Sequence, residues 1–168
     1  LLQRCFRLFR CRDKVLRARL YAYVVSDIKT VNAKRSDHQL NRALQNFVIG
    51  MLDDESGRLM GFASYGPFRP HAAYRYSVEH SVYVDRDFRQ RGVARQLMTA
   101  LIERAETQQY HTLIGGIDAS NAPSIALHEQ LGFVHAGTVR QAAYKFDRWL
   151  DLAFYQRVLA TPTNPVSG

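Results

Sequence analysis

Cysteine is scarce in this chain of 168 residues, with only Cys5 and Cys11 present. Two are too few for a disulfide framework and match no zinc-ligand spacing, so a reducing, cytoplasmic setting is expected. Long apolar runs are also missing. None approaches the ~18–20 residues that a membrane-spanning helix needs. The six histidines, His38, His71, His80, His111, His128 and His135, show no HExxH and no paired ligand spacing, so no metal is expected. No Ser/His/Asp or Cys/His set stands out for covalent catalysis. Internal repeats and low-complexity tracts are absent as well.

What is present is ordinary for a globular domain. At 46% hydrophobic and 23% charged residues, the chain falls outside the disordered, collagenous and mucin-like classes and is long enough for one sizeable core. The net charge of +8 is unevenly spread: residues 1–45 hold 11 Lys and Arg against 3 Asp and Glu, and residues 46–168 hold 12 against 12. A surface that tracks phosphates spreads its cations over several elements. This charge sits in a leader, and nucleic acid is not an expected partner.

The leader carries Arg or Lys at 4, 7, 10, 12, 14, 17 and 19, while Leu2, Phe6, Phe9, Leu16 and Leu20 roughly keep helical spacing. A basic amphipathic helix within residues 1–25 is the expectation. Three roles compete for it: a membrane-surface or nucleic-acid arm, an Arg-rich targeting segment that lacks Ser, or a helix packed on the domain by its apolar face.

From residue 46 the pattern is regular. Two short apolar runs, 46–52 and 58–65, flank the turn Asp53-Asp54-Glu55-Ser56-Gly57 and read as a hairpin. A strand follows at 75–84, with Val78, Val82 and Val84 on one face. Val93, Leu97, Leu101 and Ala105 repeat every four residues, giving a helix over 92–108. A buried strand over 112–117 ends at Gly115-Gly116. A helix over 121–131 has Pro123 near its start and Gly132 past its end. Strands at 133–145 and 149–157 complete the core, the last with Leu150, Leu152 and Phe154 expected inward. This order predicts a mixed α/β (α+β) layer fold around one sheet.

The segment Val82–Arg95, VYVDRDFRQRGVAR, leads from a strand through an Arg- and Gly-containing loop into a helix. Free N–H groups of a first helical turn and the helix dipole favour an anion. Gly92 lets the backbone approach a ligand closely, and Arg89, Arg91 and Arg95 add positive charge. By composition alone an Arg-rich, solvated helix start fits equally well.

Arg89-x-x-Gly92-x-Ala94 resembles the acetyl-CoA pyrophosphate loop of the GNAT acetyltransferases. The run from Asn121 to Phe133, NAPSIALHEQLGF, is similar to that family's second signature. Within the family the resemblance is to phosphinothricin and methionine sulfoximine/sulfone N-acetyltransferases. It rests on Gly66–Arg69, Ser77–Val84, Ser124–Phe133 and Tyr144–Trp149, and covers residues 46–159. It implies a GNAT fold, a mixed sheet with helices on both faces and a cofactor groove at a splayed strand pair. Residues 1–45 lack the family's opening strand and its Tyr-Asn helix. Their Arg, Leu and Cys enrichment is what a misread or replaced start would give, and residues 160–168 read as a flexible tail.

The resemblance also implies an acetyl-CoA-dependent N-acetyltransferase that uses direct transfer to a small-molecule amine acceptor. Glu79 is then the general base and His128 an acid or second base. Val82, Tyr83, Val84, Arg89, Gln90, Arg91, Gly92, Val93, Ala94, Arg95 and Asn121 hold acetyl-CoA, with the Val84 amide or a neighbour meeting the thioester carbonyl. Tyr83 points away from Val82 and Val84 and has no chemical role. Phe68, Arg69, Tyr74 and Arg75 bind the acceptor, Arg suiting its carboxylate and its phosphinate or sulfone oxygens. A homodimer is implied too, because a second subunit completes the pocket in the resembling enzymes. The competing readings are an impaired acyl-CoA-binding protein and an enzyme acting on another primary amine.

Overall fold

The computed structural model describes residues 5–10, 18–25 and 46–167. The elements are β1 (Cys5–Arg10), β2 (Ala18–Val25), β3 (Asn46–Asp53), β4 (Leu59–Pro67), β5 (Ser77–Val84), α1 (Val93–Thr107), β6 (Thr112–Asp118), α2 (Ala122–Gln130), β7 (Val134–Lys145) and β8 (Arg148–Val158). The strands form one sheet in the order β1-β2-β3-β4-β5-β6-β8-β7. All neighbours are antiparallel except β5 and β6, which are parallel because α1 makes the crossover between them.

The expected helix within residues 1–25 is not what the described part of that segment adopts. Cys5–Arg10 and Ala18–Val25 are strands, and β2 pairs along the whole of β3, from Ala18↔Asp53 to Val25↔Asn46. Without β2, β3 would present an unsatisfied edge. Leu20 lies opposite Met51 and is buried with it. Helical spacing is a local signal, and the backbone ladder with β3 outweighs it.

The β3–β4 turn forms for local reasons. The Asp53 carboxylate accepts from the Ser56 amide at 2.9 Å, and the Asp53 carbonyl accepts from the Gly57 amide at 2.9 Å. Gly57 sits at φ 67°, where a side chain is disfavoured.

The core lies between the sheet and α1. Val93, Leu97, Met98, Leu101 and Ala105 are almost fully buried against Ile49, Met51, Ala63 and Tyr65. Each large side chain so buried is worth about 1.5–3 kcal/mol. A Cβ on Gly61 would fall 3.3 Å from Leu97, and one on Gly115 would fall 3.2 Å from His128 of α2. Arg95 of α1 also donates to Gln130 of α2. Both described helices therefore share one face of the sheet.

Strand β8 reverses one expectation. Ala153 and Tyr155 are its buried residues, whereas Leu150, Leu152 and Phe154 are half-buried. The strand lies between β6 and β7, and α2 covers the Tyr155 face, where His128 approaches that ring at 6.4 Å. Residues 160–168, expected to be a flexible tail, bond back to the domain as far as they are described. Thr161 Oγ1 donates to the Tyr110 carbonyl at 2.5 Å, and the Val166 amide donates to Tyr76 Oη at 3.0 Å.

Candidate active site

The parallel pair opens into a cleft. β5 and β6 are in register only from Ser77↔Thr112 to His80↔Gly115, yet β5 continues to Val84 and β6 to Asp118. Gly115-Gly116 thus lies inside a strand instead of closing it. The opening is about 170 Å³ and is walled by Ser81, Val82 and Tyr83 on one side and Gly116, Ile117 and Asp118 on the other, with His80, Asn121 and His128 among the remaining residues.

Backbone alternation sets what faces this opening. Ser77 accepts from Phe68, and the Asp85 amide donates to the Met60 carbonyl. The odd-numbered peptide groups of β5 therefore point at β4, and the even-numbered ones point at β6. Val78 and His80 are used by the ladder, so the N–H and C=O groups of Val82 and Val84 face the gap. These are donors and acceptors suited to an extended, amide-bearing ligand.

Beyond Val84 the chain turns through 86–92 into α1. Gln90 has φ 58° and Gly92 φ 77°, and Gly92 caps α1 without a side-chain bond. The first amide used inside the helix is that of Gln96, bonded to Gly92. The amides of Val93, Ala94 and Arg95 precede it and are left for a ligand. No acidic residue occupies the first turn. Arg91 lies over the buried Phe88 ring at 5.4 Å, and Arg58 lies over the same ring at 5.1 Å. Arg58 is in turn bonded to Asp87 at 2.8 Å, so the loop is built before any ligand arrives. Val93 is a core residue and offers only its backbone; Arg89 is exposed and Arg95 is engaged by Gln130.

α2 begins at Asn121, whose side chain accepts from the Ser124 amide at 3.2 Å, the bond expected of a helix N-cap. Two turns later His128 is 2% exposed. Its Nδ1 is 2.7 Å from the Ser124 carbonyl. A carbonyl only accepts, so Nδ1 carries the proton and Nε2 holds a lone pair in the neutral ring. Burial pushes its pKa down, and the Ser124 carbonyl partly opposes that shift.

Strand β5 adds a residue that reading the sequence did not single out. His80 is 4% exposed and stacks on His128 with centroids 5.2 Å apart and planes 15° apart. Phe133 meets both rings edge-on, at 5.2 and 5.1 Å. A Cβ on Gly115 would fall 2.8 Å from His80 Nε2, so glycine is there because two imidazoles occupy the space. The available signal was period two: His80 alternates with Val78 and Val82 on the inward face.

Burial, and then the neighbouring His128, hold the His80 imidazole down at about 3. The unfolded chain binds the proton near 6.5, so the neutral pair favours the fold above that pH. We expect stability to fall by roughly 1 kcal/mol per pH unit as the pH drops from about 6.5 towards 3. Urea midpoints at pH 7, 6, 5 and 4 measure this, and His80→Leu should show a shallower decline; equal slopes would remove His80 as its source.

Glu79 follows the other face. It is exposed, and its Oε1 lies 3.6 Å from the Cβ position of Gly116. Gly115 and Gly116 present their Cβ positions to opposite sides of β6, so the sheet separates the Glu79 carboxylate from the imidazoles. Tyr83 is on the Glu79 side, 59% exposed and stacked on Phe62 at 5.0 Å.

Phe68, Arg69, Tyr74 and Arg75 do not line the cleft. They sit together on the loop feeding β5: Arg69 lies 4.0 Å over the Phe68 ring, and Tyr74 meets that ring edge-on at 6.2 Å. Arg75 Nη2 donates to the Ser167 carbonyl at 3.1 Å. Among the described residues no group of three or more His, Cys, Asp or Glu could hold a metal ion, and no helix is long and apolar enough to cross a membrane.

A strand–loop–helix anion site beside a parallel pair that splays open is the architecture of an acetyltransferase, and the chain belongs to the acetyltransferase (GNAT) family, whose model matches residues 9–133. That match begins well inside the basic leader. Over 115 residues the chain is 48% identical to the L-methionine sulfoximine/L-methionine sulfone acetyltransferase of Pseudomonas aeruginosa, spanning 68% of this chain and 67% of that protein. It is 36% identical over 147 residues to an L-amino acid N-acyltransferase of Escherichia coli, covering 87% and 85%. A phosphinothricin acetyltransferase from Sinorhizobium meliloti, solved with acetyl-CoA, superposes with a TM-score of 0.67 at 34% identity, covering 73% and 66%. The chain is an N-acetyltransferase and acetyl-CoA is its cosubstrate.

Proposed function

We propose that this enzyme acetylates the α-amino group of small amino-acid analogues that carry a tetrahedral sulfur or phosphorus group, such as methionine sulfone, methionine sulfoximine and phosphinothricin. The observation that carries the reading is the Glu79 carboxylate on the open face at the closed end of the cleft, with the Arg69–Arg75 loop directly ahead of its strand. The similarity to acetyltransferases of those substrates supports it.

In this reading acetyl-CoA supplies an acetyl thioester, and the chain positions it. The α1 amides with Arg89, Gln90, Arg91 and Arg95 take the pyrophosphate, Asn121 and the β5 peptide groups take the pantetheine arm, and the Val84 or Val82 amide meets the thioester carbonyl. Glu79 accepts the amine proton, directly or through one water. Arg69 and Arg75 hold the acceptor's carboxylate and its tetrahedral oxygens, with Phe68 and Tyr74 as apolar walls. His128 faces the thiol side of the cleft.

Residues 46–159 carry these parts. A homodimer is part of the proposal, supported by the exposed rings of Tyr144, Phe146 and Trp149 on the β7–β8 hairpin. Dependence on acetyl-CoA and the low cysteine content support a cytoplasmic setting.

Calorimetric titration with acetyl-CoA, followed by thiol release with methionine sulfone, tests the proposal. Saturable binding and acceptor-dependent release are expected. Binding with no release for methionine sulfone, methionine sulfoximine or phosphinothricin would overturn the substrate assignment.

A further inference from the structure

We infer that His80 supplies the N–H that steadies the departing coenzyme A thiolate, while His128 beside it offers only an acceptor. The inference rests on the β5–β6 cleft being the acetyl-CoA site. Its first support is position. The anion loop follows Val84 at the open end of the cleft, and the last paired rung, His80↔Gly115, closes the other end. A ligand anchored by its phosphates at the α1 amides therefore directs its opposite, sulfur-bearing end towards His80.

The second support is hydrogen-bond accounting. His128 spends its N–H on the Ser124 carbonyl, which leaves Nε2 with a lone pair and nothing to donate. Both nitrogens of His80 are buried and neither meets a protein partner. A neutral imidazole carries one N–H, so His80 is the ring of this pair with an uncommitted donor. A buried donor without a partner is costly to the fold, and a ligand that brings an acceptor relieves that cost. The His128 and Phe133 rings and Gly115 pack on His80, and Tyr65 is its cross-strand neighbour on β4.

The third support is alternation along β5. Glu79 and His80 are consecutive, so their side chains leave opposite faces of the sheet. The amine approaches on the Glu79 face and the thiolate departs on the His80 face. The amine nitrogen forms its bond to the acetyl carbon and its proton passes to Glu79. The carbon–sulfur bond breaks with its electron pair on sulfur, and that sulfur accepts the His80 hydrogen bond. His80 gives up no proton.

The thiol pKa of bound coenzyme A, followed by ultraviolet thiolate absorbance against pH, tests this without turnover. In the wild-type enzyme the bound thiol should titrate below the free thiol. His80→Leu, close in volume and without a donor, should raise the bound thiol pKa by about one unit, a tenfold change in the ionisation constant. Acetyl-CoA affinity should stay within about threefold. His80→Gln, which restores an N–H, should recover at least half of the shift and decides the matter if the leucine variant does not fold. An unchanged thiol pKa in a folded His80→Leu variant, or in its place no retained depression in His80→Gln, would overturn the role of His80. Failure of the wild-type enzyme to bind acetyl-CoA would instead overturn the assignment of the cleft.

Discussion

Replacing Glu79 by glutamine should lower kcat about 10²–10⁴-fold, the range for loss of a positioned general base, with acetyl-CoA affinity within about twofold of wild type. Glutamine keeps the shape of the side chain and loses its ability to take a proton. Glu79 is exposed on the face of β5 away from His80 and His128, so the change disturbs neither the core nor the imidazole pair. It is not among the residues that wall the cleft, so cosubstrate binding has no reason to suffer. Steady-state kinetics with methionine sulfone, paired with calorimetry, separates the two effects. A kcat within threefold of wild type would remove Glu79 as the base. A parallel loss of acetyl-CoA affinity would mean that the carboxylate belongs to the cosubstrate site.

Gly92→Asp should weaken acetyl-CoA binding roughly fivefold to 150-fold while leaving the fold nearly as stable. No protein atom lies within 4 Å of a Cβ at Gly92, so the new side chain meets no clash inside the molecule. The backbone there is left-handed, at φ 77°, a conformation aspartate tolerates better than most residues. A carboxylate at the N-terminus of α1 also complements the helix dipole by about 0.3–1 kcal/mol. Those two terms roughly cancel in the free protein. In the complex, the same carboxylate stands a few ångströms from the ligand's phosphates, where like charges cost about 1–3 kcal/mol at intermediate dielectric. Calorimetry together with a thermal melt reads both quantities. Unchanged affinity would sink the loop assignment, and a large fall in melting temperature would show that Gly92 serves the fold.

Much of this was legible in local pattern. Four-residue spacing from Val93 to Ala105 marks α1 because a helix satisfies its own backbone and needs only one apolar stripe. Gly92 and the arginines around it mark the turn into α1 because a left-handed cap and a helix start are short-range features. Asn121 followed by Pro123 marks the start of α2 for the same reason. The Glu79 and His128 roles are proposals that rest on resemblance, Glu79 on the segment Ser77–Val84 and His128 on Ser124–Phe133.

What needed the assembled sheet was everything that depends on a distant neighbour. Strands β1 and β2 carry apolar spacing that suits a helix, and it is the pairing of β2 with β3, and of β1 with β2, that makes them strands. The inward face of β8 is Ala153 and Tyr155 because α2 covers that side, and nothing within residues 148–158 says so. His80 looks like any histidine in a strand until α2 lays His128 on it and Gly115 gives both rings room. The cleft itself comes from β5 and β6 parting beyond the His80↔Gly115 rung, a property of two strands about thirty residues apart. Local periodicity specifies which segments become helix or strand; which face is covered, and where paired strands separate, is decided only when remote elements compete for the same backbone groups and the same volume.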